Sequence, residues 1–124
     1  MPNDKQKVLI TGGAGLIGSI MIDKLSDKYE FSSLDLKEAD GIKSTVANLD
    51  DLEAITQAFD GIDTVVHLAA DRSPAGSWDS ILKNNFVATY NVFEASKKAG
   101  VKRVIFASSN HAEGGFYLDA PWKH

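Results

Sequence analysis

Two kinds of apolar spacing alternate along the chain. Residues Lys7–Thr11 (KVLIT) are a short β-branched and apolar run ending at a cluster of glycines, which predicts a buried strand that enters a tight turn. Over residues 15–28 the apolar positions Leu16, Ile17, Ile20, Met21 and Leu25 return at helical spacing without an interrupting proline, so a helix should follow the turn. A second strand is predicted over residues 30–34, ending at Asp35, and a weaker third over 43–47. Asp50 and Glu53 have capping-box spacing, after which Leu52, Ile55 and Phe59 share one helical face. The chain should then turn at Asp60 and Gly61.

Residues 64–69 (TVVHLA) are almost continuously apolar, the mark of a parallel strand covered on both faces, and His67 reads as a packed residue of that strand. A long helix is predicted from Ser77 or Trp78 to Ala99, closed by Gly100. Its apolar residues Ile81, Leu82, Phe86, Val87, Val92, Phe93 and Ala95 cover more than one stripe, so it should need partners on two sides. Residues 102–107 (KRVIFA) predict a fifth strand, and the remainder, SSNHAEGGFYLDAPWKH, has turn residues without periodicity. Strands that alternate with helices imply right-handed crossovers and therefore an α/β fold, with a parallel sheet of order 3-2-1-4-5 and helices on both faces. The fifth strand would be an open sheet edge and the long helix would show an apolar side, so self-association or a homo-oligomer is expected.

Length and composition narrow the picture. The 124 residues suit one domain over 1–124, and 44% hydrophobic with 24% charged residues is ordinary for a folded chain. A net charge of -4 with scattered basic residues argues against nucleic acid as a partner. No apolar run approaches the ~20 residues that span a bilayer, and the first seven residues carry no apolar signal segment, so no membrane is expected and the cytoplasm is the expected compartment. There is no cysteine, and His67, His111 and His124 lie far apart, so no metal is expected.

Candidate chemistry sits at the first turn. TGGAGLIG places Gly12, Gly15 and Gly18 at three-residue spacing between a strand and a helix. Gly12 would permit the turn, Gly15 would admit a pyrophosphate to the helix N-terminus, and Gly18 would let the helix lie close to the sheet. Without a GK[ST] sequence, a P-loop is disfavoured. Asp35, 17 residues beyond Gly18, ends the second strand where a carboxylate could accept hydrogen bonds from an adenosine ribose; a solvated strand-end residue is the alternative. A carboxylate there would repel a 2'-phosphate, which favours NAD over NADP, although Lys37 lies nearby.

These residues together resemble the extended short-chain dehydrogenase/reductase family, which includes sugar-nucleotide epimerases, dehydratases and uronate dehydrogenases. The resemblance runs through TGGAGLIG, Asp35, Asn48-Leu49, HLAA at 67–70, Asn85 and FASSN at 106–110, and so covers nearly the whole chain. It implies a Rossmann-type NAD(P)-binding domain with cofactor contacts at Gly12, Gly15, Leu16, Ile17, Asp35, Leu36, Asn48, Leu49, Leu68, Ala69, Ala70 and Asn85. Within that set, Leu68, Ala69 and Ala70 would line the nicotinamide side, while Asn48 and Leu49 would flank adenine. The family more often has Asp at position 48, and Asn48 could equally be a turn residue. Ser109 matches the family serine that hydrogen-bonds the reacting group.

The run SSNHA, with Ser73, is most similar to uronate dehydrogenases. In that likeness Ser73, Ser109, Asn110 and His111 would contact a sugar acid, or a nucleotide sugar in the related epimerases; His111 could instead be a plain loop residue. The family's YxxxK pair is absent: Tyr117 is followed four residues later by Pro121, and Lys123 is six residues away. Tyr117 is therefore not expected to be the acid/base. The sheet is expected to be incomplete at its C-terminal side, and cofactor binding is expected without useful turnover by these residues alone. A non-catalytic dinucleotide-binding module is the alternative function.

Overall fold

The computed structural model describes residues 4–109. Five strands, β1 (Lys7–Thr11), β2 (Glu30–Asp35), β3 (Lys43–Val46), β4 (Thr64–His67) and β5 (Arg103–Phe106), form one parallel sheet of order β3-β2-β1-β4-β5. The strand order is the one the sequence predicts, with helices on both faces. Side chains of successive strand residues point to opposite faces, and β1 divides the core accordingly. Val8 and Ile10 pack with Phe31 and Val66 under Met21, Ile22 and Leu25 of helix α1 (Leu16–Leu25). Leu9 and Leu34 face the other way, against Ile55, Phe59, Val65, Val92 and Ala95. That second face is covered by α2 (Leu52–Thr56), which tightens into a single turn over Gln57–Phe59, and by the C-terminal half of the long helix.

The long helix is three consecutive stretches: α3 (Trp78–Ile81), a π-helical segment (Leu82–Val87) and α4 (Ala88–Ala99), ending at Gly100. Ser77 caps it by accepting the N–H of Ser80 at 3.2 Å. Its buried residues are confined to α4 and form one stripe. Ala88, Asn91, Val92, Ala95 and Ser96 are buried, whereas Phe86, Tyr90 and Phe93 are exposed. Asn91 reaches across to donate to the Leu49 carbonyl at 2.9 Å, and so ties the segment after β3 to α4.

Two boundaries differ from the sequence reading. Helix α1 stops at Leu25, because the N–H groups of Lys28 and Tyr29 both return to its carbonyl (2.9 and 3.0 Å) and turn the chain into β2. The cap of α2 is Asp51 and not Asp50: Asp51 is the extended residue before the first turn, and its Oδ1 accepts the N–H of Ala54 at 3.1 Å.

The register aligns the C-terminal ends of the central strands. Thr11 lies beside Leu34 on one side and His67 on the other, so the ends of β1, β2 and β4 share one rim. The chain leaves β1 toward β2 and returns from β3 to β4 on the opposite side, which makes the rim between β1 and β4 the crevice where open parallel sheets hold ligands.

Candidate functional site

The turn after β1 is built from backbone in close contact. Gly12 has φ +79°, donates to the Leu34 carbonyl at 2.9 Å, and has Ala69 N at 3.0 Å from the position a Cβ would take. A side chain at Gly18 would meet Gly12 O at 2.5 Å and the Gly13 Cα at 2.8 Å, so α1 can start against the turn only because residue 18 is glycine. The consequence is a helix N-terminus open to the rim. Gly15 precedes α1 in extended conformation, no side chain caps the helix, and its first turn has no acidic residue. The first N–H groups of a helix have no partner within it, and the helix dipole adds partial positive charge there.

One groove of about 390 Å³ runs over this turn. Gly12, Gly15, Leu16, Ile17 and Gly18 form its floor, Asp35, Leu36, Ala47 and Leu49 one end, and Leu68, Ala69, Ala70, Asp71, Arg72 and Asn84 the other. Ten of the residues singled out for the cofactor therefore lie together: Gly12, Gly15, Leu16, Ile17, Asp35, Leu36, Leu49, Leu68, Ala69 and Ala70. Asp35 is fixed at the rim, its Oδ2 accepting from Ala14 N at 3.0 Å and its Oδ1 from Leu36 N at 2.6 Å. Each carboxylate oxygen has a further lone pair available to a hydroxyl.

The remaining candidates fall elsewhere. Asn48 is exposed, is not among the groove-lining residues, and its carbonyl accepts from Asp51 N at 3.2 Å in the turn that leads to α2. Asn85 does not line the groove; its amide accepts from Asp71 N at 2.7 Å and donates to Asp71 O at 3.0 Å, so it clamps the backbone of the loop after β4. Asn84, one residue earlier, is the one that lines the groove. Ser73 is exposed on that loop, donating its N–H to Asp71 Oδ1 at 2.9 Å. Ser109 is exposed beyond β5 and is not among the groove-lining residues. Asn110, His111 and Tyr117 lie outside the described residues.

The sequence reading missed Asp71 and Arg72, which sit at the strand end where a loop of ordinary polar composition begins. The Ser80 hydroxyl and then the Ser73 N–H hold the Asp71 carboxyl below its usual range. Among the described residues, Arg72 is the only cation that lines the groove. Beneath the groove His67 is buried, and that burial pushes its pKa down to about 4. Among the described residues no three His, Cys, Asp or Glu side chains group to hold a metal ion, and no helix is long and apolar enough to cross a membrane.

A glycine turn that opens an uncapped helix at the switch point of a parallel sheet, with a carboxylate at the end of β2, defines the dinucleotide-binding class of α/β fold. The model of the NAD dependent epimerase/dehydratase family matches residues 8–116, and the chain belongs to that family. It is 38% identical to an L-arabinose 1-dehydrogenase (NAD(P)(+)) of Haloferax volcanii, over 85% of this chain and 41% of the relative. It is 33% identical to a uronate dehydrogenase of Pseudomonas putida, over 91% and 44%. In structure it is similar to a uronate dehydrogenase variant from Agrobacterium tumefaciens complexed with NAD, with TM-score 0.78 and 32% identity over 86% of this chain and 42% of that one. A Bordetella bronchiseptica enzyme, WbmG, in complex with NAD gives TM-score 0.79 and 28% identity, over 92% and 41%. The chain thus spans less than half the length of these relatives.

Proposed function

We propose that the groove binds NAD and that the chain is the cofactor-binding part of a dehydrogenase acting on a sugar or sugar acid. The observation that carries this reading is the uncapped N-terminus of α1, brought against the turn by Gly18 at the β1/β4 switch point, with Asp35 at the rim. The pyrophosphate would lie over residues 12–17, where backbone N–H groups and the helix dipole favour an anion. Asp35 would accept from the adenosine ribose and would disfavour the 2'-phosphate of NADP. Leu49 would flank adenine from one side, with Asn48 at the edge, and Leu68, Ala69 and Ala70 would line the nicotinamide half.

Bound there, NAD supplies a hydride acceptor. Ser109 would hydrogen-bond the reacting hydroxyl or carbonyl, and Ser73, Asn110 and His111 would contact the sugar. Arg72, beside the nicotinamide end, favours an anionic sugar over a neutral one. The relatives include both kinds, uronate dehydrogenases and an NAD-dependent glucose-6-phosphate dehydrogenase of Haloferax volcanii on the anionic side and the L-arabinose 1-dehydrogenase on the neutral side, so the choice rests on Arg72.

Calorimetric titration with NAD and NADP tests the reading. NAD should bind more tightly, and a folded chain that binds neither, or prefers NADP, would overturn it. Self-association belongs to the same proposal, because Ile105 and Phe106 of β5 and Phe93 of α4 are about half exposed. Sedimentation velocity over a wide concentration range should show association, and a clean monomer throughout would contradict it.

A further inference from the structure

Three buried or half-buried polar side chains on three elements meet directly under the groove: Thr11 at the end of β1, His67 at the end of β4 and Thr89 in α4. A threonine hydroxyl has one proton and two acceptor sites. Thr11 Oγ1 accepts the N–H of Ala69 at 3.2 Å, and it shares the N–H of Leu68, at 3.1 Å, with the Thr11 carbonyl. Both acceptor sites therefore face N–H donors. The hydroxyl proton is left for the remaining contact, His67 Nδ1 at 2.6 Å. Nδ1 must then be bare, which puts the imidazole proton on Nε2, where Thr89 Oγ1 at 2.9 Å receives it. Phe106, paired with His67 across β4 and β5, stacks on the ring at 5.7 Å between centroids and fixes its plane.

The far end of this relay is part of the groove. Ala69 lines it, and the Ala69 N–H is held by the Thr11 hydroxyl at the point where Ala69 packs against Gly12. We propose that His67 is a positioning residue of the groove: as the neutral Nε2–H tautomer it orients the Thr11 hydroxyl, which locks the Leu68–Ala69 backbone against the glycine turn and so shapes the nicotinamide half of the site. An imidazolium would place a second proton on Nδ1 facing the hydroxyl proton, and the hydroxyl could then satisfy it only by giving up an N–H. The proposal rests on the dinucleotide reading for what the groove holds, and on the hydrogen-bond geometry for how it is held.

The experiment combines a spectrum with two ligands. Long-range 1H–15N correlation on the wild-type chain near neutral pH should show His67 Nδ1 unprotonated and Nε2 protonated; a proton on Nδ1 overturns the proposal. His67→Leu should bind NAD about tenfold more weakly, the scale of one lost buried hydrogen bond. Its affinity for AMP, which occupies only the adenosine half, should stay within about twofold on the same reasoning. His67→Asn, which can keep an acceptor near Nδ1, should recover most of the NAD affinity. Equal loss for both ligands, or no loss for either, overturns the proposal while leaving the dinucleotide reading standing. Wild-type chain that binds neither ligand removes the dinucleotide reading and the proposal with it. Should His67→Leu fail to fold, Thr11→Val and Thr11→Ser put the same question, the first removing the hydroxyl and the second restoring it.

Discussion

Adding one methyl group at Gly18 and at Gly15 should produce opposite kinds of damage. At Gly18 the new Cβ would stand 2.5 Å from Gly12 O and 2.8 Å from Gly13 Cα, both backbone, so no side chain can rotate away and the helix must shift from the turn by several tenths of an ångström or more. Overpacking of this kind costs about 1–3 kcal/mol, offset by about 1 kcal/mol of better helix propensity for alanine. Because both clashing atoms are backbone, the cost falls in the upper part of that range, about 2–3 kcal/mol, so Gly18→Ala should lower stability by about 1–2 kcal/mol, and each kcal/mol moves the melting temperature by about 4–8 °C in a domain near this size. At Gly15 the backbone is at φ -79° and ψ 177°, open to any residue, and the nearest atom to a new Cβ is Gly12 O at 3.2 Å. Gly15→Ala should change stability by less than about 1 kcal/mol. Its methyl group, at an exposed position that lines the groove, should weaken NAD binding by about tenfold or more. Far-UV thermal melts and NAD titrations of the two variants supply the test. A Gly18→Ala protein with an unchanged melting temperature would refute the close approach of α1, and a Gly15→Ala protein as unstable as Gly18→Ala would make Gly15 a residue of the fold and not of the ligand site.

Acid should act on His67 before it acts on the carboxylates. With its pKa lowered from 6.5 to about 4, His67 stays neutral in the fold while the unfolded chain takes up a proton. Stability should fall by at most about 3 kcal/mol as pH drops from 6.5 to 4, and this part of the loss should vanish in His67→Asn. Asp63 and Asp71 are held below their ordinary 3.8, Asp63 chiefly by the Lys7 N–H and Asp71 chiefly by the Ser80 hydroxyl, so the stability they contribute is present above that value and is lost below it. Denaturant melts at stepped pH would separate the two windows. Asp51→Ala should cost about 1 kcal/mol through the lost cap of α2, whereas Asp50→Ala should cost little; equal losses in chemical denaturation would restore Asp50 as the cap. Asn85→Ala leaves the Asp71 N–H and carbonyl without their clamp. It should weaken NAD binding with only a modest change in melting temperature, and unchanged affinity would show that the loop holds its own shape.

What the sequence made legible follows from what repeats along it. The buried strands announced themselves because a strand covered on both faces has no room for polar alternation, and β4 is buried at all four of its positions. The glycine turn and Asp35 were legible because a turn, a helix start and a strand end each demand particular residue types at a fixed distance. The clamp that Asn85 makes on the Asp71 backbone was not, because an asparagine that clamps a backbone and one that meets a ligand look alike until the partner of its amide is known. Asp50 has the glutamate three residues on that a capping box asks for and Asp51 has Ala54 there, so the pattern points to the wrong neighbour and only the backbone conformation identifies Asp51 as the cap. The link from Asn91 to Leu49, 42 residues apart, depends on how α4 crosses the sheet, and no local pattern encodes it.

The π-helical stretch Leu82–Val87 makes the long helix behave as two helices joined out of phase. An α-helix advances about 100° per residue, so a single surplus residue lets α4 turn its buried side to the sheet while Asn84 and Asn85 turn toward the loop after β4. Deleting one residue from this stretch would regularise the helix and leave every strand and both halves of the core intact. The same deletion would swing α3 by about that angle around its axis and carry Asn85 off Asp71. In this helix, insertion and deletion therefore have a reading frame of their own: the length between Ile81 and Ala88 sets whether Asn84 and Asn85 reach the loop that forms one end of the groove.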